Sequence, residues 1–375
     1  MSRKSPNFTV PIATGLTALL LTACAGEPSD SVVSAAAQEG PLTVVAGCED
    51  FAASMKPGGD VPRCEPGQPA PKPLAQPATI VMNLPAGFEF GAPWYWAKDT
   101  GEFAKENLTV EIQNLPSSDA YTLAAQGKLD FACSGPNAPM YNAIAQGFDI
   151  RWVTGLTATP DSSKSGLWAR KGTTLKDLEG GVIASAAGAG SASVYPVDRM
   201  LEKAGVDLSG IKVESVGAAD MKQALDSKVI DAGIFLDPRW VPLEESGGYE
   251  FLGSTTPPGE SLLGCIAGPS FYQKRDAAVA FLRATSRTIN TTFAGDYHAD
   301  KEVVGRLARL LGTTPDELVK TPSLVFDLLV RSETSTGLQK TYKKTKALQY
   351  DELLPDDRVI DRTVLEEAHG VRFAG

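Results

Sequence analysis

The fold of this chain is decided by residues 79–112, which read TIVMNLPAGFEFGAPWYWAKDTGEFAKENLTVEI. The stretches at 79–82 and 108–112 have the patterns of strands, and the stretch at 94–98 is typical of the start of a helix. A strand, a helix and a strand in this order indicate a largely parallel sheet covered by helices. The stretch therefore predicts an α/β fold.

The same alternation continues toward the C-terminus. Further strands are predicted at 129–133, 150–153, 167–170, 182–184, 211–214 and 230–235, with helical patterns between most of them. Ser118, Asn137 and Thr174 are residue types that cap helix N-termini, and Thr314 followed by Pro315 is a strong helix start. The run 261–266 predicts a strand that returns to the first half of the chain, after which helices dominate.

Two segments of the chain echo one another. AQGKLDF at 125–131 and DSKVIDA at 226–232 each end a helix and enter a strand through an acidic residue, Asp130 in one and Asp231 in the other. The echo indicates two related halves.

The N-terminus has the layout of an export signal, with Arg3 and Lys4 before a mostly apolar stretch at 8–21. That stretch is shorter than the about 20 residues that a membrane-spanning helix needs. It ends in Leu-Thr-Ala-Cys24, which resembles a bacterial lipobox, whose cysteine receives diacylglycerol. We therefore expect residues 1–23 to be removed and lipidated Cys24 to anchor the chain to the outer face of the bacterial cell membrane. The alternative is a plain signal peptide followed by an incidental cysteine.

The charge pattern argues against several function classes. The net charge is −10, and the Lys and Arg residues are scattered, so no nucleic-acid partner is expected. The chain has two histidines, His298 and His369, and neither neighbours a Cys or carboxylate cluster at metal-ligand spacing. No metal, cofactor or catalytic residue is therefore predicted.

Four cysteines remain once Cys24 is assigned to the lipid, an even number that suits disulfides in an exported chain. Cys48 and Cys64 enclose a short loop rich in Pro and Gly and form the natural local pair. Cys133 and Cys265 both lie in strand-like runs that fit side by side in one sheet. The alternative for this second pair is two buried, reduced thiols.

Several motifs together resemble one known family. They are WAKDTGEFAKENLTVE at 96–111, AAQGKLDF at 124–131, GFDI at 147–150, LKDLEG at 175–180 with the Gly190-Ser191 turn after it, and Asp237-Pro238. In this order they resemble the nitrate/sulfonate/taurine and thiamine-pyrimidine-precursor group of ABC-transporter substrate-binding proteins, over roughly 79–283. The chain departs from that family in its Cys48 to Cys64 extension and in the aromatic residues crowded around the first strand-to-helix loop.

The resemblance implies a two-lobed, periplasmic-binding-protein-like fold of type II, with two crossover strands as a hinge near 167–170 and 253–261. The boundaries that follow are a signal peptide at 1–23, a lipid tether and disulfide-containing extension at 24–77, lobe 1 at 78–170, lobe 2 at 171–256, the second part of lobe 1 with a helical region at 257–345, and a tail at 346–375.

The resemblance also implies the function: a monomeric binding protein that captures a small organic ligand and delivers it to an ABC permease and its ATPase subunit. Two alternatives stay open. One is a lipoprotein that senses the ligand, and the other is an enzyme on the same fold, of the pyrimidine-synthesis or dehydratase type. An enzyme needs a base or metal in the cleft, and the two histidines lie outside the predicted cleft loops.

Ligands of such folds bind beyond the carboxyl ends of strands, where helix N-termini offer unpaired N–H groups. We expect three loops there, at 87–94, 134–137 and 188–193. The predicted ligand residues are Phe88, Phe90, Trp94, Tyr95, Ser134, Asn137, Ser191, Ala192, Ser193 and Asp237.

These residues have distinct expected roles. The aromatics stack on or flank a flat ligand, and 191–193 donate hydrogen bonds to an anionic group. Asp237 accepts from an amine or hydroxyl. The alternatives are core packing for one of the tryptophan and tyrosine side chains, a helix cap for Ser191 and a simple Asp-Pro turn for Asp237. The expected ligands are an aromatic or heteroaromatic acid, then an alkyl sulfonate, then an amino-pyrimidine.

Overall fold

The computed structural model describes residues 69–115, 117–133, 135–158, 163–256, 262–330 and 332–370. The predicted signal peptide, Cys24, the pair of Cys48 and Cys64, and Ser134 lie outside these residues. None of the helices in the described part of the chain is long and apolar enough to cross a membrane.

Strands and helices alternate along most of the described chain. The strands are β1 Ala78–Asn83, β2 Leu108–Gln113, β3 Phe131–Cys133, β4 Arg151–Gly155, β5 Thr157–Ala158, β6 Gly166–Arg170, β7 Val182–Ser185, β8 Lys212–Ser215, β9 Ala232–Phe235, β10 Tyr249–Ser254, β11 Gly264–Ala267 and β12 Val325–Phe326. The α-helices are α1 Ala92–Asp99, α2 Ser117–Ala125, α3 Ala138–Ala145, α4 Val194–Ala204, α5 Met221–Asp226, α6 Val241–Ser246, α7 Pro269–Gln273, α8 Arg275–Thr292, α9 Lys301–Leu311, α10 Pro315–Leu318, α11 Ser332–Lys344, α12 Asp356–Val359 and α13 Thr363–His369. Short 3-10 helices lie at Glu89–Gly91, Ala104–Glu106, Leu175–Leu178, Gly188–Gly190, Leu208–Gly210 and Tyr297–Ala299.

The helix starts follow the predicted caps. The Asn137 side chain accepts a hydrogen bond from the backbone N–H of Met140 at the start of α3, at 3.1 Å. Thr174 forms a capping box with Asp177, and the Thr314 hydroxyl accepts from the N–H of Glu317. Each bond satisfies a backbone donor that the first helical turn leaves unpaired. The side chain of Ser118 lies outside the described residues.

The strands of lobe 1 form a five-stranded sheet in the order β2-β1-β3-β11-β4, which we call sheet 1. β1 pairs in parallel with β2 and β3, whereas β11 runs antiparallel to β3 and β4. β11 is the strand that was predicted to return to the first half of the chain. Its Cys265 lies opposite Cys133 of β3, and the two form the predicted disulfide, with their Cα atoms 4.0 Å apart.

The strands of lobe 2 form sheet 2, in the order β10-β6-β9-β7-β8. β7 pairs in parallel with β8 and β9, and β6 runs antiparallel to β9 and β10. This differs from the predicted lobe boundary at residue 170, because β6 was expected to be a crossover at the end of lobe 1. Backbone pairing on both sides of β6 places it inside sheet 2, and the chain crosses between the sheets before β6 and after β10.

The two acidic residues of the sequence echo occupy equivalent positions in the two lobes. Asp130 precedes β3; its carboxylate accepts from the N–H of Val81 at 2.8 Å, and its N–H donates to the Val81 carbonyl. Asp231 precedes β9 and makes the same two bonds to Val182, also with 2.8 Å to the carboxylate. The echo therefore reflects a repeated strand-to-strand junction.

Each sheet buries apolar side chains on both faces. In β3, Phe131 packs into the core on one face of sheet 1 and Ala132 into the core on the other. In β7, Ile183 and Ala184 divide in the same way between the two cores of sheet 2. Because side chains alternate along a strand, burial on both faces requires the continuous apolar runs seen in the sequence.

A buried ion-pair network attaches the predicted N-terminal extension to lobe 1. The Glu106 carboxylate, which has no exposed side-chain area, accepts from Arg283 at 2.6 Å and from Arg287 at 2.9 Å. The same carboxylate accepts from the N–H of Lys72, and the two guanidinium groups donate to the carbonyls of Lys72 and Pro69. Residues 69–74 therefore belong to the folded body of lobe 1.

The predicted tail at 346–375 also differs from expectation, since its described part, up to residue 370, is folded against lobe 1. Helix α13 packs on α8, and Arg275 of α8 pairs with Glu367 of α13 at 2.8 Å. Ile360 forms a backbone bridge with Trp152 of β4. These contacts extend the core of lobe 1 rather than leaving a free end.

Candidate functional site

The carboxyl ends of the parallel strands in both sheets lie where the chain crosses between the lobes. In sheet 2, Gly166 at the start of β6 pairs with Phe235 at the end of β9, and Ser254 at the end of β10 pairs with Gly166. In sheet 1, Gly155 at the end of β4 pairs with Gly264 at the start of β11. Both crossings therefore join the two carboxyl-end edges, and the loops at these edges border one cleft between the lobes.

Asp237 follows β9 in lobe 2, and it bonds to the first crossing, which is the segment between β5 and β6. Its carboxylate accepts from the indole N–H of Trp240 at 2.5 Å and from the hydroxyls of Ser165 at 2.7 Å and Ser163 at 3.3 Å. The Ser165 carbonyl in turn accepts from the N–H of Thr255 in the second crossing. Because three side chains donate to Asp237, we interpret Asp237 as a residue that holds the hinge in place. These bonds differ from the predicted role of Asp237, which was to accept from an amine or hydroxyl of the ligand.

Burial raises the pKa of Asp237, while the three donors act in the opposite direction and the negative charge of Glu89 adds to the rise. Glu89 lies in the loop that follows β1 in lobe 1, and Asp237 lies in lobe 2. The charge of Glu89 in lobe 1 therefore acts on Asp237 in lobe 2.

The four aromatic residues predicted in the first loop divide into exposed and buried groups. Phe88 is 46% exposed and stacks on Phe90, with ring centroids 5.3 Å apart. Tyr95 and Phe90 are half-buried against the core of lobe 1. Trp94 is fully buried and packs edge-on against Phe131, so the prediction that it stacks on a ligand is wrong. The helix that begins at Ala92 carries its indole into the core under sheet 1.

Glu89 forms a cluster with two residues that the sequence analysis did not connect with the cleft. One Glu89 carboxylate oxygen lies 2.7 Å from Nε2 of His298 and also accepts from the hydroxyl of Tyr297. Nδ1 of His298 lies 2.9 Å from the carbonyl of Thr321. His298 lies outside the three predicted loops, but its bond to Glu89 connects it with the loop at 87–94.

The pKa values in this cluster follow from the carboxylate. Burial alone lowers the pKa of His298, but the hydrogen bond to Glu89 and its charge outweigh burial and raise the pKa above its ordinary value. Burial raises the pKa of Tyr297, and the charge of Glu89 raises it further. The contact with Glu89 therefore favours the charged form of His298.

The glycine-rich turn at 188–193 precedes α4 in lobe 2. Its Ser191 and Ser193 hydroxyls lie 2.8 Å apart and bond to one another, and neither side chain caps the helix. Ala192 is half-buried and packs against the core of lobe 1. The turn therefore lies at the contact between the lobes, with Ala192 directed toward lobe 1.

Two of the predicted ligand loops meet across the lobes. A β-carbon placed on Gly190 would lie 3.0 Å from the Cβ of Ala138 and 3.6 Å from Pro139. Ala138 is the first residue of α3, which Asn137 caps. The absence of a side chain at Gly190 thus allows the lobe 2 turn to approach the N-terminus of a lobe 1 helix. The side-chain oxygen of Asn137 already accepts this cap bond, so it needs no ligand as a partner.

Other features of the described residues lie apart from this cleft. A shallow depression of about 540 Å³ at the opposite edge of sheet 2 is lined by Arg170, Lys171, Asp226, Ser246, Gly248 and Tyr249, and it contains none of the predicted ligand residues. Within the described ranges, no group of three or more His, Cys, Asp or Glu side chains is arranged to hold a metal ion.

The chain is similar to solved structures of periplasmic binding proteins. It matches the aliphatic sulphonate binding protein of Escherichia coli with a TM-score of 0.58 and 19% identity, covering 76% of this chain and 98% of that one. It matches the alkanesulfonate-binding protein of Xanthomonas axonopodis pv. citri, bound to MOPS, with a TM-score of 0.58 and 16% identity over 77% and 100% of the two chains. The nitrate-binding protein of Synechocystis PCC 6803 matches with a TM-score of 0.53 and 12% identity over 79% and 89%.

These similarities establish the two-lobed α/β fold of periplasmic binding proteins. No curated protein matches the chain in sequence. The family model described as NMT1/THI5 like matches residues 91–296, which is more than half of the chain. The order of motifs and the sheet topology agree with that match, and the chain belongs to the NMT1/THI5-like family.

Proposed function

We propose that this chain is the extracytoplasmic solute-binding component of an ABC importer, which captures a small organic ligand between its lobes and delivers it to the permease. The observation that carries the proposal is that loops from both lobes border one cleft, with Gly190 of lobe 2 against Ala138 of lobe 1. Closure of two lobes over a ligand is the hinge motion expected of such a cleft. We further propose that the chain acts as a monomer, anchored to the membrane through lipidated Cys24.

The side chains at the cleft bear on the class of ligand. The exposed Phe88 ring, stacked on Phe90, offers a face for a flat ring. In this part of the cleft Glu89 is paired with His298, so Asp237 is the carboxylate whose charge disfavours a ligand with only negative charge. Of the three expected classes, an amino-pyrimidine or another ring that donates N–H bonds fits this region best. An aromatic acid or an alkyl sulfonate must instead bind through the backbone amides near residues 188–193.

A thermal-shift screen tests the proposal. The library contains aromatic acids, alkyl sulfonates and amino-pyrimidines, each with a matched compound that lacks the ring or the amine. A ligand present at one hundred times its Kd stabilises the folded state by about 2.7 kcal/mol, so a true ligand raises the Tm measurably. A shift with one class and none with its matched compound supports the proposal and names the class. No shift with any compound, together with no binding by calorimetry, contradicts it.

A second candidate is an enzyme on the same fold, and the contact between Glu89 and His298 is the observation that favours it. A carboxylate beside an imidazole is an arrangement that supports proton transfer. Incubating the ligand from the screen with the chain and analysing it by mass spectrometry separates the two functions. Recovery of unchanged ligand supports capture, whereas turnover supports catalysis. Loss of ligand uptake by cells that lack the chain separates transport from sensing.

A further inference from the structure

Helix α11 belongs to lobe 1 by its packing. The Tyr141 hydroxyl of α3 donates to Ser335 at 3.3 Å, and the Tyr342 hydroxyl donates to the carbonyl of Pro136 at 2.9 Å. The rings of Tyr141 and Tyr342 meet edge-on, and the Asn142 amide donates to the carbonyl of Ala347 just beyond the helix. These buried contacts fix α11 to α3 and to the loop that precedes it.

The opposite face of the same helix binds lobe 2. The Thr341 hydroxyl donates to the carboxylate of Asp198 in α4 at 2.7 Å, and the ammonium group of Lys344 lies 2.8 Å from the same carboxylate. Lys344 also pairs with Glu202, one turn further along α4. Just after the helix, the Thr345 hydroxyl donates to the carbonyl of Ala189 in the glycine-rich turn, at 3.1 Å.

The packing between the two helices is close. A β-carbon on Gly337 of α11 would lie 2.5 Å from the ring of Tyr195 in α4, so a glycine is required for the helices to approach as they do. Asp198 is only 4% exposed, although it is a charged residue. A carboxylate buried to this degree is stable when donors surround it, and its three nearest side-chain donor bonds all come from α11.

We propose that α11 and the residue that follows it form a latch that holds the lobes closed, through Thr341, Lys344 and Thr345, and that release of ligand requires these bonds to break. The inference rests on the proposed function, because it concerns closure of the cleft over a ligand. The contacts of α11 with lobe 1 join it to the apolar core of that lobe, whereas its contacts with lobe 2 include hydrogen bonds and ion pairs made by Lys344, which is partly exposed. Because the Lys344 ammonium is partly exposed, water can replace its bonds, so an opening motion separates α11 from α4 rather than from α3.

The latch also connects closure with the predicted ligand loop. Thr345 holds the carbonyl of Ala189, and Ala189 lies in the turn that contains Gly190 and precedes Ser191. The turn is therefore held on one side by α11 and on the other by the N-terminus of α3. When the latch opens, the turn loses the contacts that position its backbone amides beside lobe 1.

Amide hydrogen exchange of the free, full-length chain tests the latch without any ligand. The test variant is Asp198→Asn with Lys344→Met, which removes both charges and leaves neither unpaired. The matched control is Lys343→Met, since the Lys343 ammonium donates to the carbonyl of Asp351 and makes no contact with lobe 2 that the structure describes. We expect amide exchange of the glycine-rich turn and the first turn of α4 to be about fivefold faster in the double variant. Exchange in β2, an edge strand of sheet 1, stays as in the wild type.

Equal exchange rates of the turn in the double variant and the wild type would overturn the latch. If the double variant loses protection in β2 as well, it has unfolded, and Thr345→Val then decides the question by the same comparison. Because no ligand is present, a failure of the ligand screen has no bearing on this result. Conversely, a latch that fails here leaves binding in the cleft untouched.

Discussion

Phe88 and Trp94 belong to one short loop and helix start, yet their side chains lie in different environments. Phe88 is 46% exposed, and Trp94 has no exposed area. Aromatic side chains fill cores and bind ligands through the same contact area, so their spacing in the sequence does not separate the two uses. Which of these side chains is buried depends on how α1 packs against sheet 1, because this packing brings Trp94 against Phe131.

This difference predicts opposite effects of two alanine substitutions. Trp94→Ala is expected to lower the free energy of unfolding by about 3–5 kcal/mol, because it leaves a cavity in the core. Phe88→Ala is expected to leave the urea midpoint nearly unchanged and to weaken the ligand identified by the screen by on the order of 1–3 kcal/mol. Urea unfolding and titration calorimetry measure the two effects. A stable Trp94→Ala variant that binds weakly would show that the indole belongs to the ligand site.

The contact between Glu89 and His298 predicts a titration that NMR can follow. In the wild type, the pKa of His298 lies above its ordinary value because the hydrogen bond and charge of Glu89 outweigh burial. Since the folded-state pKa is raised, the pair stabilises the fold at low pH, and this contribution is lost as the pH rises through that pKa. Glu89→Gln is expected to lower the pKa of His298.

The chain has two histidines, so the imidazole resonances of His298 and His369 are readily assigned. His369 contacts Ser286 in lobe 1 and serves as the internal control, because Glu89→Gln is not expected to move its titration. An unchanged His298 titration in the variant would show that Glu89 does not set the charge of this imidazole. The sequence gives no sign of the contact, because the two residues are 209 positions apart.

At the scale of elements, the network around Glu106 joins residues 69–74, the 3-10 helix Ala104–Glu106 and α8. Burial alone would raise the pKa of Glu106, but hydrogen bonds from Arg283 and Arg287 lower it below its ordinary range. The stabilisation from this carboxylate is therefore present above the pKa of the unfolded chain, and it is lost as the pH falls through the folded-state pKa.

We predict that Glu106→Gln lowers the free energy of unfolding by about 3–5 kcal/mol near neutral pH, because it leaves two arginines without their buried partner. The difference from the wild type is expected to narrow below about pH 4, where the carboxyl of the unfolded chain becomes protonated before that of the folded chain. Urea unfolding at several pH values measures both effects. Glu111→Gln, on the exposed side of β2, is the control and should change the midpoint little. A loss of stability that does not depend on pH would contradict the role of the charge.

The elements themselves were largely predictable from the sequence, whereas contacts between distant elements were not. The apolar runs predicted β1, β2 and β7 within a residue or two, and the echo at Asp130 and Asp231 corresponds to a real repeated junction. Local chemistry decides such features. The position of β6 was missed because its apolar pattern fits either sheet equally well, and only its pairing with β9 and β10 decides between them.

The same reasoning applies to the candidate site. The three ligand loops were predicted from general rules for strand ends, and two of them meet at Gly190 and Ala138. The roles of single side chains were less predictable. Asp237 holds the hinge through bonds to Ser163 and Ser165, which precede it by more than 70 residues, and no local pattern marks them.

At the scale of the whole molecule, the account requires that the two lobes act on one ligand. The crossings join the carboxyl-end edges of both sheets, and α11 contacts both lobes. Closure and binding are then parts of one equilibrium, because a ligand that contacts both lobes favours the closed arrangement by its difference in affinity for the two states.

A crystal structure of the chain with the ligand from the screen tests this requirement most directly. The account predicts ligand density in the cleft, in contact with the loop at Phe88 and Glu89 in lobe 1 and with residues of lobe 2 near the glycine-rich turn or the hinge. Density that contacts only one lobe, or that lies in the depression beside Arg170 and Tyr249, would contradict it.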